Sequence, residues 1–294
     1  MGAYRQTGDV KVSGSIGEVR WTLNEVRRAG GSVGLVPTMG YLHEGHLSLM
    51  AAARADTDFV VATIFVNPLQ FAPGEDLVSY PRDPDGDRAK AEQAQVDLLF
   101  SPEHDEMYPD EVLTTVSVDG ISQTMEGATR PTHFAGVATV VAKLFAIAGS
   151  CRAYFGEKDF QQLTVVRKMA ADLSFPVEVI GCPIVREPDG LALSSRNAYL
   201  TPDQREAAPV LQRALKAGAA SVRAGERDPA TVCTLVGEII AAEPEAELDY
   251  VALVDPATLE APTADLEPGP YRLLAAARFG LPRLLDNIAL DVPA

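Results

Sequence analysis

The chain is predicted to fold as an α/β protein: a Rossmann-like domain of parallel strands with helices on both faces, followed by a smaller C-terminal α+β domain. Three observations predict it. Short β-branched apolar runs alternate with helical patterns over the first 185 or so residues. Near residue 185 this alternation stops, and two Ala-rich helical stretches precede three strand-like runs. Between the first strand and its helix lies a turn dense in Gly, Pro and His, where open α/β sheets bind ligands.

After a polar start, residues 16–28 read as an amphipathic helix closed by Gly30 and Gly31. Residues 33–36 form a buried strand. Pro37 and Gly40 punctuate it, and Leu47, Met50, Ala51 and Ala53 begin a helix that runs to about residue 55. Residues 59–66 form a second buried strand ending in Asn67-Pro68-Leu69-Gln70-Phe71. The stretch 74–87, rich in Pro, Gly and Asp, reads as a surface loop before a helix at 85–95 and a short strand at 97–100. Alternating Thr and Val at 112–118 predict an edge strand. A loop at 127–133, a buried helix at 134–148 and a strand at 153–155 follow, then a helix at 160–172 and a strand at 177–180.

Glu187-Pro188-Asp189-Gly190 is a turn signal. Helices are expected at 202–224, opened by Thr201 as cap and Pro202 in the first turn, and at 229–242. Strands at 248–254, 271–277 and 284–290 complete a small sheet. The expected domains are therefore 1–185, binding nucleotide and acid substrate, and 186–294, a smaller lid.

Of the 294 residues, 47% are hydrophobic and 22% charged, an ordinary composition for a soluble globular protein. The net charge of −16 argues against a broad nucleic-acid surface, so an anionic ligand needs a local positive pocket. The three cysteines, Cys151, Cys182 and Cys233, have neither metal-ligand nor redox spacing and read as small hydrophobes in a reducing compartment. The polar N-terminus carries no secretory signal. The longest apolar tract, 134–148, is short and broken by Lys143, so a cytoplasmic protein without membrane contact is expected.

Four clusters carry candidate chemistry. The first is Met39-Gly40-Tyr41-Leu42-His43-Glu44-Gly45-His46, where a helix start offers backbone N–H groups and a positive dipole end to phosphate. Its histidines are three apart, against the four of the zinc-protease helix, and Gly45 between them argues further against a metal face. Polar residues at a helix start are the plainer alternative. The second cluster is Asn67 and Gln70, with Tyr80 nearby in sequence. The third is Gly156-Glu157-Lys158-Asp159 with Gln161 and Gln162, and the fourth is Leu193-Ser194-Ser195-Arg196-Asn197.

Imidazoles, hydroxyls and the fixed cations Lys158 and Arg196 suit a triphosphate, whereas the amides Asn67, Gln70 and Gln162 suit a small polar acid. Taken singly, Lys158 reads as a solvated lysine, Ser194-Ser195 as a cap, and Asn67-Pro68 as a turn. Asp85 and Asp87 could assist Mg²⁺ but read first as part of a solvated loop. The co-occurrence of the clusters outweighs these separate readings. No nucleophile elbow, Walker loop or dinucleotide glycine fingerprint is present in the sequence.

The ordered set of motifs resembles the pantothenate synthetase (pantoate–β-alanine ligase) family of the HIGH-type nucleotidyltransferase superfamily, over about residues 31–287. The motifs are Pro37-Thr38-Met39-Gly40, Leu42-His43-Glu44-Gly45-His46, Phe65-Val66-Asn67-Pro68 with Gln70-Phe71, Arg130-Pro131-Thr132-His133-Phe134, Phe155-Gly156-Glu157-Lys158-Asp159 and Ser194-Ser195-Arg196-Asn197.

The resemblance implies an amide-forming ligase that condenses pantoate with β-alanine through a pantoyl adenylate, releasing pyrophosphate and AMP. It implies ATP contacts from Met39 to His46, from Gly156 to Asp159, and at Val185, Leu193, Ser194, Ser195 and Arg196. His46, as acid, with His43, Lys158 and Arg196 would be catalytic. Asn67, Gln70 and Gln162 would hold pantoate, with β-alanine also near Gln70. It further implies Mg²⁺ and a cytoplasmic homodimer. Tyr41 stands where such proteins often have Ala, Phe160 where they often have Tyr, and Leu193 where Met is frequent. None of these exchanges removes a proposed phosphate or amide contact. The alternatives are another nucleotidyltransferase of the superfamily or a nucleotide-binding module without turnover.

Overall fold

A computed structural model describes residues 10–72, 74, 75 and 77–293. Contacts divide the chain into two units. The first runs to Glu157 and takes up Val165–Pro183; the second is Lys158–Thr164 with Ile184 onward.

The first unit is built on a six-stranded parallel sheet: β1 (Lys11–Ser13), β2 (Val33–Thr38), β3 (Phe59–Ile64), β4 (Leu98–Phe100), β5 (Cys151–Gly156) and β6 (Val177–Cys182). Their order is β1-β4-β3-β2-β5-β6. From β2 the chain winds outward through β3 and β4, and β5 returns to the other side of β2. The carboxyl ends of β2 and β5 therefore flank the topological switch point, where open sheets leave a crevice. The motif-bearing loops after β3, β2 and β5 leave this edge from three neighbouring strands.

Helices α1 (Ile16–Arg28), α2 (Glu44–Asp56), α3 (Pro84–Gln93), α4 (His104–Met107), α5 (Glu126–Thr129), α6 (His133–Ala148) and α7 (Phe160–Asp172) accompany these strands. Ser15 caps α1 by accepting from the N–H of Glu18, and Val19, Leu23 and Val26 recur at helical spacing to bury one face. On one side of the sheet Val36, Val60, Ala62 and Leu99 pack against Leu49, Met50 and Ala53 of α2 and Ala91 of α3. Strand β2 is buried at Val33, Leu35 and Val36, which is why it reads as continuously apolar. No helix among the described residues is long and apolar enough to cross a membrane.

The second unit contains α8 (Pro202–Ala207), α9 (Val210–Arg223), α10 (Pro229–Ala241) and an antiparallel sheet of β7 (Glu247–Val254), β8 (Gly269–Arg278) and β9 (Arg283–Val292), in that order. Leu211, Leu215 and Val222 of α9 and Val232, Val236 and Ile240 of α10 share one core with Leu253, Leu273 and Ala275 of the sheet.

Four expectations need correction. Residues 112–118 form no strand: their Thr-Val alternation finds no partner strand, Leu113 is exposed, and the N–H of Val116 bonds the Thr139 hydroxyl instead. The helix expected at 202–224 is two helices, because Pro209 at the start of α9 lacks the N–H that a continuous helix requires. The polar start contains β1, whose register places Val12 opposite Leu99 on the sheet edge. Asp87, read first as part of a solvated loop, is instead buried on α3, which starts at Pro84 close to the expected 85, with Asp83 as its cap.

Close approach fixes the loop after β3 to α6. A Cβ added at Gly136 would lie 2.1 Å from the carbonyl oxygen of Leu69. The Gly136→Ala variant is therefore expected to destabilise the protein by about 1–3 kcal/mol, the usual scale of overpacking. Denaturant unfolding measures this; stability equal to that of the parent would show that α6 can withdraw freely.

Candidate active site

The turn from Thr38 to His46 is shaped by a buried carboxylate. Thr38 ends β2, its hydroxyl donating to the Thr63 carbonyl (2.5 Å) and accepting from the N–H of Gly40 (3.1 Å). Gly40 and Tyr41 then take positive φ, +85° and +50°. A side chain at Gly40 would meet Asp87 Oδ2 at 2.9 Å, so Gly suits both the conformation and the space. With this geometry the N–H groups of Tyr41 and Leu42 converge on Asp87 Oδ2 (2.8 Å) and Oδ1 (2.6 Å). Successive N–H groups in such a nest attract an anion. Here the anion is internal: Asp87, 1% exposed, on α3. One turn further along α3, Lys90 donates to the Leu42 carbonyl at 2.7 Å.

The turn runs into α2, with His43 as its cap. His43 Nδ1 accepts from the N–H of Gly45 (3.1 Å), and His46 Nδ1 accepts from the N–H of His43 (3.3 Å). Both Nδ1 atoms thus present lone pairs, so the neutral rings carry their protons on Nε2. The two rings lie 4.1 Å apart between centroids. Two Nε2–H donors beside a helix start suit phosphate oxygens. Met39, Tyr41 and Gly45 are half-buried around them and Glu44 is exposed.

The loop after β3 is joined to this turn. Gln70, 8% exposed, donates from Nε2 to the Met39 sulfur at 2.8 Å, and its Oε1 accepts from Asn67 Nδ2 at 3.3 Å. Asn67 is saturated. Its Nδ2 also donates to the Gly136 carbonyl (3.1 Å), and its Oδ1 accepts from the Leu69 N–H (3.3 Å) and the Tyr108 hydroxyl (2.9 Å). An amide offers two hydrogens and two lone pairs, and all four are in use. Asn67 therefore supports Gln70, and any substrate contact by it would require one of these bonds to open. Burial pushes the Tyr108 phenol up to about 12, which keeps it a donor.

Sequence reasoning assigned no role to Arg130 and His133, although both stand in a motif. His133 Nδ1 lies 2.9 Å from the Gln70 carbonyl, which can only accept, so Nδ1 carries the proton. Arg130 donates to the same carbonyl at 3.2 Å and holds Glu75 through two bonds of 2.7 and 2.6 Å. Burial, helped by the Arg130 charge, lowers the His133 imidazole to about 4.

Gly156 and Glu157 end β5 at the switch point, both half-buried. The chain continues into the second unit with Lys158, 19% exposed along its side chain, whose Nζ lies 3.6 Å from the more exposed Asp159. Gln161 is buried and Gln162 half-buried in the first turn of α7. In the second unit, Val185 accepts from the N–H of Leu193 at 3.0 Å. Ser194 caps the short turn Ser195–Tyr199 by accepting from the Arg196 N–H at 3.3 Å, so the plain cap role exists beside any ligand role. Ser195 is buried and Arg196 half-buried. Asn197 donates to the Ala192 carbonyl, and its buried Oδ1 has no partner, a sign of a place for ligand or water. Lys158, Ser194 and Asn197 line one small pocket with Asp286.

Among the described residues, no three or more His, Cys, Asp or Glu side chains are grouped to hold a metal ion. Asp87 is engaged by the turn and Asp85 is exposed. Mg²⁺ carried on nucleotide phosphates would need few protein ligands.

Two measurements follow from this geometry. Asp87→Asn turns an amide N–H toward a backbone N–H and should cost about 2–4 kcal/mol in denaturant unfolding, since orphaned buried donors cost about 1–3 kcal/mol each. Asp85→Asn, at an exposed position, should stay within about 0.5 kcal/mol of the parent, and equal effects of the two would refute the brace. For His133, the folded pKa lies below the unfolded one, so the unfolded chain takes up the proton first as pH falls. Its contribution is intact above about pH 6.5 and is lost toward pH 4, amounting to about 3 kcal/mol at about 1.4 kcal/mol per pKa unit. Unfolding free energies from pH 7 to 4 should fall less steeply in His133→Gln.

The pantoate-beta-alanine ligase family model matches residues 11–289. A pantothenate synthetase of Roseiflexus sp. (strain RS-1) is 53% identical over 276 residues, covering 92% of this chain and 98% of its own. A pantothenate synthetase crystal structure from Thermus thermophilus aligns with a TM-score of 0.90 at 50% identity, covering 97% of this chain and 100% of that one. A pantoate-beta-alanine ligase from Francisella tularensis, complexed with beta-gamma ATP and beta-alanine, aligns with a TM-score of 0.77 at 31% identity, covering 95% of this chain and 97% of that one. With a family match over nearly its whole length and relatives above half identity, the chain belongs to the pantoate–β-alanine ligase family.

Proposed function

We propose that the chain condenses pantoate with β-alanine at the expense of ATP, in two steps. A pantoate carboxylate oxygen attacks the α-phosphorus, the bond to the β-phosphate oxygen breaks, and pyrophosphate leaves. The β-alanine nitrogen then attacks the acyl carbon of the pantoyl adenylate. The C–O bond to AMP breaks and the amine loses a proton. The observation that supports this reading is the bond from Gln70 to Met39, which sets the Gln70 amide beside the histidine turn at the carboxyl edge of the sheet. Family membership and a relative solved with ATP and β-alanine support it.

Met39 to His46, Gly156 to Asp159, Val185 and Leu193 to Arg196 are assigned to ATP, and Gln70 and Gln162 to pantoate, with β-alanine also near Gln70. Asn67 joins pantoate binding through Gln70. His43 and His46 donate from Nε2 to phosphate oxygens, while Lys158 and Arg196 supply fixed positive charge. Their effect is largest where charge gathers on the phosphates in the transition state, which speeds the reaction rather than only tightening ATP. Mg²⁺ bound to the phosphates would add further charge neutralisation there. A homodimer acting in the cytoplasm completes the reading, on family resemblance alone.

Because the carboxylate is the first nucleophile, ATP–pyrophosphate exchange should require pantoate and Mg²⁺ but proceed without β-alanine. Exchange that depends on β-alanine would point to a concerted three-substrate reaction. Absence of exchange with every acid offered would favour a binding module.

A further inference from the structure

Two adjacent residues of β9 reach the segments of the second unit that the proposed reading assigns to phosphate. Asn287, 1% exposed, donates from Nδ2 to the Lys158 carbonyl at 2.8 Å. Its Oδ1 accepts from Arg272 Nε at 2.7 Å, and the Arg272 guanidinium carbon lies 4.1 Å from the centroid of the Phe160 ring. The turn that carries Lys158 is thus held at its carbonyl and, two residues on, at an aromatic face. Stacking needs the ring and no hydroxyl, which accounts for Phe at 160.

Asp286, 3% exposed, receives Arg186 through bonds of 2.6 and 2.8 Å and also accepts from the N–H of Asn287 at 2.7 Å. Arg186 bonds the Gly190 carbonyl and pairs with Ala192 in a β-bridge, and Leu193 N–H bonds the Val185 carbonyl. Arg186 therefore sits on the ribbon whose end delivers Leu193 and Ser194.

We infer that Asn287 and Asp286 are positioning residues of the ligase: Asn287 sets the backbone from which Lys158 projects, and Asp286 sets the ribbon leading to Ser194 and Arg196. The inference rests on the proposed role of Lys158 toward ATP. Its physical basis is that both side chains, buried on a sheet, direct hydrogen bonds out to these segments. A buried, satisfied polar network holds a turn to one geometry, and a misplacement of about 1 Å can cost on the order of a hundredfold in rate.

Asn287→Asp separates positioning from stability. The carboxylate keeps the acceptor for Arg272 and adds an opposite charge, but turns a lone pair instead of a donor toward the Lys158 carbonyl. Affinity for a non-hydrolysable ATP analogue with Mg²⁺ is measured by calorimetry in the parent, N287D, K158A and the double variant, beside their melting temperatures. N287D should weaken the analogue about tenfold in the parent and less than about twofold in the K158A background, because coupled residues are non-additive. Its melting temperature is expected to fall, because the new carboxylate faces a buried carbonyl, but by the same amount in the parent and K158A backgrounds. Additive losses, unchanged affinity, or loss that tracks melting would overturn the positioning role. K158A with unaltered affinity would instead sink the assignment of Lys158 to ATP. Should N287D fail to fold, N287S, which is too short for either bond, takes its place in the same cycle.

Discussion

The first unit's site depends on two backbone N–H groups meeting one buried carboxylate. Gly40 and Tyr41 can hold left-handed conformations because Asp87 receives the N–H groups of Tyr41 and Leu42. Without that acceptor, the nest would expose two donors in a buried place, at a cost comparable to much of a domain's net stability. Because it is filled from within, the N–H groups there are not available to a ligand. The next feature along the chain, the start of α2 with His43 and His46, is the part of this turn to which the proposed reading gives the phosphates. The same carboxylate ties α3 to the turn, and Lys90 repeats the tie one helical turn later.

A common construction recurs around the candidate residues. Side chains expected to touch substrate are held by other polar side chains that are buried or half-buried. Gln70 is held at its side chain by Asn67, which is itself fixed by Tyr108, and at its carbonyl by His133 and Arg130. Lys158 is held at its carbonyl by Asn287. Burying so many polar groups is costly unless each has partners, and with partners it leaves few alternative geometries. Preorganised donors need little rearrangement when charge develops, which is what charge-stabilising catalysis requires.

Charge is arranged on the same logic. In a chain of net charge −16, the cations assigned to phosphate are few and local. Other cations are committed to structure: Arg130 to Glu75, Arg186 to Asp286 and Lys90 to Leu42. Backbone N–H groups bond both histidine Nδ1 atoms, which leaves Nε2 as the ring atom to which the proposed reading gives the donor role. Donors of this kind can assist phosphate without holding a spent anion as tightly as a cation would.

The sequence alone determined the alternation of strands and helices, the change of texture near residue 185 and the motif loops, because burial on a sheet or helix face imposes a local period on apolar residues. It also grouped His43, His46, Gln70 and Lys158 as candidates, through ordered local motifs. It did not reveal that Thr-Val alternation at 112–118 would lack a partner strand, since pairing depends on a neighbour and not on the segment itself. Nor did it reveal the work of Asp87, Asn67, Asp286 and Asn287. Asp87 lies 45 residues from Leu42 and Asn287 lies 129 from Lys158, and no local pattern marks a residue whose partner is that far along the chain. Only the tertiary structure decided those roles, because a side-chain hydrogen bond forms within about 3 Å in space, whatever the separation in sequence.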